Sequence, residues 1–167
     1  MHRPLLTLLL ALAPLACGGP DDPEPFMGDD DYVRDPALDI ELISARDDAI
    51  SHAVGDNCMR CHQPSGPGPG LFTAAGTLHD DDGAPHPGGA IELRTGPSGT
   101  GELVARVEAD SLGNFYTTEA LPLPATALFP TVYSDDGLRT TFMPFPTTSA
   151  ACNVCHVGGA VIRLPGA

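Results

Sequence analysis

The stretch GTLHDDDGAPHPGGAIEL, residues 76–93, decides the fold that the sequence predicts. Two short apolar segments, around Leu78 and Ile91, flank a link made almost entirely of Asp, Gly, Pro and Ala. Prolines and glycines at this density forbid regular structure, and short apolar segments bounded by turn residues are typical of β-strands. The stretch therefore predicts two strands joined by a loop.

The same organisation continues over the middle of the chain. Six short segments with strand-like composition are separated by turn-rich links such as GPSGTG and DSLG: LFTAAGTLH (71–79), GAIELRT (89–95), ELVARVEA (102–109), NFYTTEAL (114–121), ATALFPTVY (125–133) and LRTTFM (138–143). Regular spacing of short strands, with no helical period between them, predicts a mainly β chain that folds as an antiparallel sandwich.

Three features of these segments resemble the carboxypeptidase regulatory-like or transthyretin-like β-sandwich. They are a glycine in the first strand, a Gly-rich hairpin before an apolar strand, and a D-x-x-G-x-F pattern that opens a later strand. The residues that carry the resemblance are Gly76, Gly83, Ala90, Asp110, Gly113, Asn114 and Phe115. The resemblance implies an Ig-like or transthyretin-like architecture over residues 71–145.

The segment before the strands has a different period. Apolar residues recur at three- and four-residue intervals over residues 35–57, from Leu38 to Ala53, which predicts one short amphipathic helix. Asp35 or Asp39 is the predicted cap, and Gly55 the predicted end. Residues 38–70 are thus expected to hold this helix and the cysteine motif that follows it.

A five-residue pattern occurs twice, as CMRCH at 58–62 and CNVCH at 152–156. In C-x-x-C-H, the two thiols lie one helical turn apart and can each form a thioether with a porphyrin vinyl group, while the histidine binds the iron. Four of the five cysteines belong to these motifs. The chain therefore resembles a dihaem c-type cytochrome, with haem-binding segments at both ends of the sandwich (38–70 and 146–167). The expected cofactors are two haem c groups, held by Cys58, Cys61, Cys152 and Cys155, with His62 and His156 as proximal ligands.

Other chemistries could use the same cysteines. A structural zinc site could gather both C-x-x-C pairs into a Cys₄ tetrahedron, and disulfides could join the ends of an exported domain. A thioredoxin-like redox pair would need a βαβ setting, which the sequence lacks. None of these explains why a histidine directly follows each cysteine pair.

The second axial ligand of each iron is a separate question. His52, six residues before Cys58, is the first candidate, and Met143, shortly before the second motif, is the other. Alternatively, His52 is a cation near a helix C-terminus and Met143 an ordinary core residue. His79 and His86 flank a polar turn and are expected to be exposed loop residues.

The first residues resemble a bacterial lipoprotein signal peptide. A short basic start precedes an apolar run over residues 5–16, which is too short to span a bilayer, and small residues surround Cys17. The resemblance implies that residues 1–16 are removed, that Cys17 is lipidated, and that residues 17–37 form a flexible tether. The alternative is an ordinary secretory signal cleaved near the same position, and either one exports the chain.

Composition limits the partners and the function. Lys and Arg total 8 against 22 Asp and Glu, so the formal net charge is −14 and nucleic acid is an improbable partner. Aromatic residues are only 5% and Trp is absent, so two haems would supply large apolar groups that the core lacks. The sequence thus predicts an exported electron-transfer protein, periplasmic or at the cell surface, tethered to the outer membrane and serving redox partner proteins such as other multihaem cytochromes. The alternatives are a dihaem peroxidase or reductase, and a sandwich that acts as a binding module.

Overall fold

The computed structural model describes residues 32–164 of the chain, and seven strands lie within this range. They are β1 (Ala74–His79), β2 (Ala90–Arg94), β3 (Leu103–Glu108), β4 (Asn114–Thr117), β5 (Phe129–Tyr133), β6 (Thr140–Phe142) and β7 (Ile162–Arg163). The first sheet has the order β4-β1-β7 and the second β3-β2-β5-β6. All pairs are antiparallel except β1 with β7, which is parallel. The six strands predicted between residues 71 and 143 are therefore confirmed.

The hydrophobic core lies between the two sheets. Leu78 of β1 and Phe115 of β4 pack with Ile91, Val107 and Val132 from the second sheet, and all five are buried. Side chains on successive strand residues point to opposite faces, so one face of each sheet supplies this core. The arrangement is consistent with a β-sandwich.

The outer face of the first sheet is also covered, since all six residues of β1 are buried. Ala75 of β1 packs on this face with Phe72 and Tyr116. Cys58 and Met59 of the first C-x-x-C-H motif pack against this cluster, whereas the second motif lies beside the edge of β1, where Cys152 packs against the core between the sheets.

The helix predicted before the first motif is wrong. Pro36–Leu38 forms a single 3-10 turn, capped by the Asp35 carboxylate as the sequence suggests, and the chain then runs extended. Ser44 N donates to Tyr116 O at 2.9 Å, and Thr118 N donates to Leu42 O at 2.9 Å. Because β4 is an edge strand with unpaired backbone groups, pairing with it outweighs the weak helix propensity of Asp, Ile and Ser residues here.

Residues that carry the transthyretin-like resemblance have structural roles. The Asp110 carboxylate accepts hydrogen bonds from Leu112 N and Asn114 N, both at 2.9 Å, and so closes the turn before β4. A Cβ on Gly76 would lie 2.5 Å from the Phe115 ring, so only glycine lets this ring fill the core.

The tail of the described chain returns to the sandwich, because β7 pairs with β1. None of the helical segments within residues 32–164 is long and apolar enough to cross a membrane. The predicted signal peptide (1–16), the lipidation site Cys17 and the tether up to residue 31 lie outside the described residues.

Candidate functional site

Both C-x-x-C-H motifs form a short helical turn. Cys58–Arg60 is a 3-10 turn and Cys152–Cys155 a single α-helical turn. His62 N donates to Cys58 O at 3.1 Å, and His156 N donates to Cys152 O at 2.9 Å. In each motif, the two cysteines and the histidine therefore lie on or directly after one turn of the chain.

Each motif histidine also makes a hydrogen bond from its side chain to a backbone carbonyl. Nδ1 of His62 lies 2.7 Å from Pro69 O, and Nδ1 of His156 lies 2.9 Å from Ala160 O. A carbonyl oxygen only accepts, so Nδ1 carries the proton and the Nε2 lone pair is left for another partner. Histidines that bind a metal almost always donate their other N–H in this way. Both imidazoles are thus prepared to coordinate through Nε2.

The first motif opens onto a cavity of about 800 Å³, including the space at its mouth. Cys58, Cys61 and His62 line it, and so does His52, the predicted second ligand. The ring centres of His52 and His62 are 6.2 Å apart, with the planes tilted by 37°. A metal bonded to two imidazoles at about 2 Å separates the bonded nitrogens by about 4 Å, and the ring centres lie further apart. The observed separation fits a metal between the rings.

An aromatic stack holds the His62 ring in place. Phe72 stacks on His62 with centres 4.0 Å apart and planes within 5°, and Tyr116 stacks on Phe72 at 4.9 Å. Burial lowers the pKa of His62, against the opposing effect of its hydrogen bond to Pro69. The ring is therefore neutral at pH 7, the form that binds metals.

The second motif opens onto a larger cavity of about 1120 Å³, again including its mouth. Cys152, Cys155 and His156 line it together with Met143, the other predicted second ligand. The structure therefore brings each of these sequence-predicted candidates into the same cavity as its own motif, although His52 lies on a segment without regular secondary structure and not on a helix.

Exposed apolar side chains surround both cavities. Ile40 and Ile50 line the first, and Phe142, Phe145 and Val154 line the second; all five are at least 41% exposed. Clusters of large apolar side chains on a surface mark binding sites. A flat apolar group in each cavity would cover them.

The alternative cysteine chemistries find little support in this geometry. Within residues 32–164 no group of three or more His, Cys, Asp or Glu side chains is arranged to hold a metal ion. The motif cysteines are thiols in this structure. Burial raises the pKa of the Cys152 thiol to about 12, which disfavours a redox-active role because the thiolate is the reactive form.

Arg34 is a residue of the first site that the sequence did not reveal. Its guanidinium donates to backbone carbonyls of the loop at residues 63–70, including Gln63, Gly66 and Gly68, and its side chain is 8% exposed. This loop supplies the Pro69 carbonyl that orients His62. Because Pro and Gly prevent regular secondary structure in this loop, its carbonyls need hydrogen-bond donors from elsewhere in the chain. That need was the only sign of Arg34 in the sequence.

The end of the predicted tether, residues 32–37, contacts this loop as well. Tyr32 Oη donates to Gly66 O at 3.1 Å, beside the Arg34 guanidinium. Residues 32–37 are therefore bound to the loop at residues 63–70.

The structure corrects the expectation for His79. This residue ends β1 and is buried, because Pro85 and Arg163 pair with it on either side. His86 is half-buried. Neither histidine lines the cavities of the two motifs.

Neither a protein-family model, nor a curated protein, nor a solved structure matches this chain.

Proposed function

We propose that this chain is an exported c-type cytochrome that carries two covalently attached haems and transfers electrons. The observation that carries the proposal is the common environment of His62 and His156. Each has Nδ1 bonded to a backbone carbonyl, and each lines a largely apolar cavity beside its own two thiols. A zinc site or a disulfide needs no such imidazole.

Each proposed haem has its own set of binding residues. Cys58 and Cys61 attach the first haem and His62 is its proximal ligand; Cys152, Cys155 and His156 do the same for the second. His52 is the proposed second ligand of the first iron, supported by the ring separation of 6.2 Å. Met143 is the proposed second ligand of the second iron, supported by its place in that cavity.

Each bound haem supplies an iron that alternates between the ferrous and ferric states. The protein's own residues determine how the iron ligands are oriented and how far water reaches them. The Pro69 and Ala160 carbonyls fix the orientation and raise the basicity of the proximal imidazoles. Phe72 excludes water from one face of His62. A thioether ligand from Met143 favours a higher potential than an imidazole ligand from His52.

The setting proposed is the bacterial periplasm or cell surface, with Cys17 as the lipid anchor to the outer membrane. The sandwich, proposed as an Ig-like or transthyretin-like scaffold, holds the haems. With a net charge of −14, the chain suits redox partners that present a basic surface, including other multihaem cytochromes. Nucleic acid is not a proposed partner.

The test is expression in a host with c-type maturation machinery, followed by intact mass and a pyridine haemochrome spectrum. We expect a mature mass that includes two haems and a spectrum typical of thioether-linked haem. Cys155→Ser is expected to lose one haem's mass, while the nearby Val157→Ala, at an exposed residue outside both cavities, keeps both. A colourless mature protein, or one that binds zinc in place of iron, contradicts the proposal.

A further inference from the structure

A buried amide of the second motif reaches the first site. Asn153 lies between Cys152 and Cys155 and is 3% exposed. Its Nδ2 donates to Asp56 O at 2.8 Å and to Thr77 Oγ1 at 2.9 Å, and its Oδ1 accepts from Thr77 N at 3.1 Å. The side chain thus joins the second motif to β1 and to the backbone two residues before Cys58.

The connection continues from Thr77 to His52. Thr77 Oγ1 donates to Asn114 Oδ1 at 2.7 Å and also accepts from Gly55 N at 3.0 Å. Asn114 Nδ2 donates to Ser51 Oγ at 3.0 Å and to His52 O at 3.3 Å. One hydroxyl offers one donor and two acceptor positions, and all three are used here. The network is buried and fully paired at its centre.

The segment at residues 51–56 depends on this network for its position. It contains no helix or strand, and its Ala53 and Gly55 have positive φ angles of 51° and 81°. The neighbouring Ile50 and the segment's own Val54 are 73% and 38% exposed, so apolar burial contributes little. Hydrogen bonds from Asn153, Thr77 and Asn114 therefore hold the backbone that carries His52.

We propose that Asn153 is a positioning residue for the first haem, although it belongs to the attachment motif of the second. It places the 51–56 segment so that His52 faces His62 across the first cavity. The inference rests on the proposed function, since it concerns the second axial ligand of a haem iron. It makes the coordination of one site depend on the folded motif of the other.

The test uses the matured dihaem protein and the variant Asn153→Ala, read by the ferric electron paramagnetic resonance spectrum. His52→Ala defines the signal of a first iron that has lost its second ligand. We expect Asn153→Ala to shift one of the two haems from low-spin to high-spin, as His52→Ala does. The double variant should give no further change. Val157→Ala, at an exposed residue directly after the motif that lines neither cavity, is the matched control and should match the wild type.

A second variant guards against simple misfolding. Thr77→Val has nearly the same shape but lacks the hydroxyl at the centre of the network, and it should give the same high-spin signal in a protein whose circular dichroism is native. An Asn153→Ala spectrum identical to the wild type overturns the inference. So does a change confined to the haem that Met143→Leu alters. Haem content of the wild type is measured first, because a wild type without haem overturns the proposed function itself.

Discussion

The ring centres of His52 and His62 lie 6.2 Å apart, although His52 belongs to a segment without helix or strand and His62 to the first cysteine motif. His62 is buried and stacked on Phe72, whereas His52 is exposed at the mouth of the cavity. One ring of the pair is therefore held rigidly by packing, and the other is placed by its backbone.

In the proposed dihaem protein, replacing His52 by Ala is expected to change the first haem alone. Loss of the second imidazole leaves an open position on that iron, which then becomes high-spin and binds carbon monoxide in the ferrous state. Titration with the gas should show one of the two haems reacting. His86→Ala, a half-buried histidine outside both cavities, is the control and should leave the spectrum unchanged.

Met143 variants should act on the second haem. Met143→Leu keeps the shape but removes the sulfur, so we expect a high-spin second haem. Met143→His offers an imidazole instead, which should restore a low-spin iron and lower its potential, within the roughly 0.8 V range over which axial ligands act. A redox titration followed by absorbance measures this, and equal potentials in the wild type and Met143→His would contradict the assignment.

Arg34→Met should destabilise the loop that orients His62. The substitution removes a buried cation and strands several loop carbonyls that it satisfies, at an expected cost of about 2–4 kcal/mol in the free energy of unfolding. Urea unfolding of the matured protein measures it. Arg60→Met, at an exposed arginine inside the first motif, should cost less than about 0.5 kcal/mol. Similar costs for the two variants would show that the loop does not need Arg34.

Gly76→Ala should destabilise the sandwich and disturb the second motif together. The added Cβ would lie 2.5 Å from the Phe115 ring and 2.8 Å from the Cys152 Cβ, and overpacking of this kind costs about 1–3 kcal/mol. Thermal unfolding gives the stability. Gly159→Ala meets no atom within 4 Å and is the matched control. A Gly76→Ala protein as stable as the control would mean that the core can move aside.

Glu92 predicts a pH dependence of stability. Burial raises the pKa of this carboxyl, but hydrogen bonds from Arg106 and Arg94 outweigh it and hold the pKa below its ordinary value. A lowered pKa stabilises the folded state above the unfolded-state pKa of about 4.3, and this contribution is lost as pH falls through the folded-state pKa.

Glu92→Gln should therefore cost about 1–2 kcal/mol at pH 7 and progressively less toward pH 3. Urea unfolding at both values measures the difference from wild type. Glu102→Gln, at an exposed carboxyl, should show no such trend. A cost for Glu92→Gln that is constant with pH would mean that shape, and not charge, is what Glu92 contributes.

The strands were predictable because their signals are local. Turn residues such as Gly83 and Gly113 separate short apolar segments, and each segment forms a strand near its predicted position. The pairing of each motif with a candidate ligand was predictable only from closeness in sequence. His52 lies six residues before Cys58, and Met143 nine before Cys152.

The errors came from contacts that are distant in sequence. The period around Leu42 indicated a helix, but the edge of β4, about 75 residues further along, recruits this segment by backbone pairing. The roles of Arg34 and Asn153 depend on carbonyls 29 to 97 residues away. A single sequence carries no signal for such pairs, because a buried Arg or Asn looks the same as an exposed one.

The parallel pair of β7 with β1 joins the latest strand to the earliest one. Leu78 pairs with Ile162 and His79 with Arg163, and Leu164 N donates to His79 O at 2.9 Å. Such a distant pairing closes a large loop, and topologies rich in distant contacts fold slowly. We expect Cys152, which packs against the core in the folded state, to stay reactive toward a thiol label during refolding for longer than Cys58, which packs at the first motif. Under the proposed function, a slow final closure of this kind would keep the second pair of sulfurs accessible to an attachment enzyme for longer than the first.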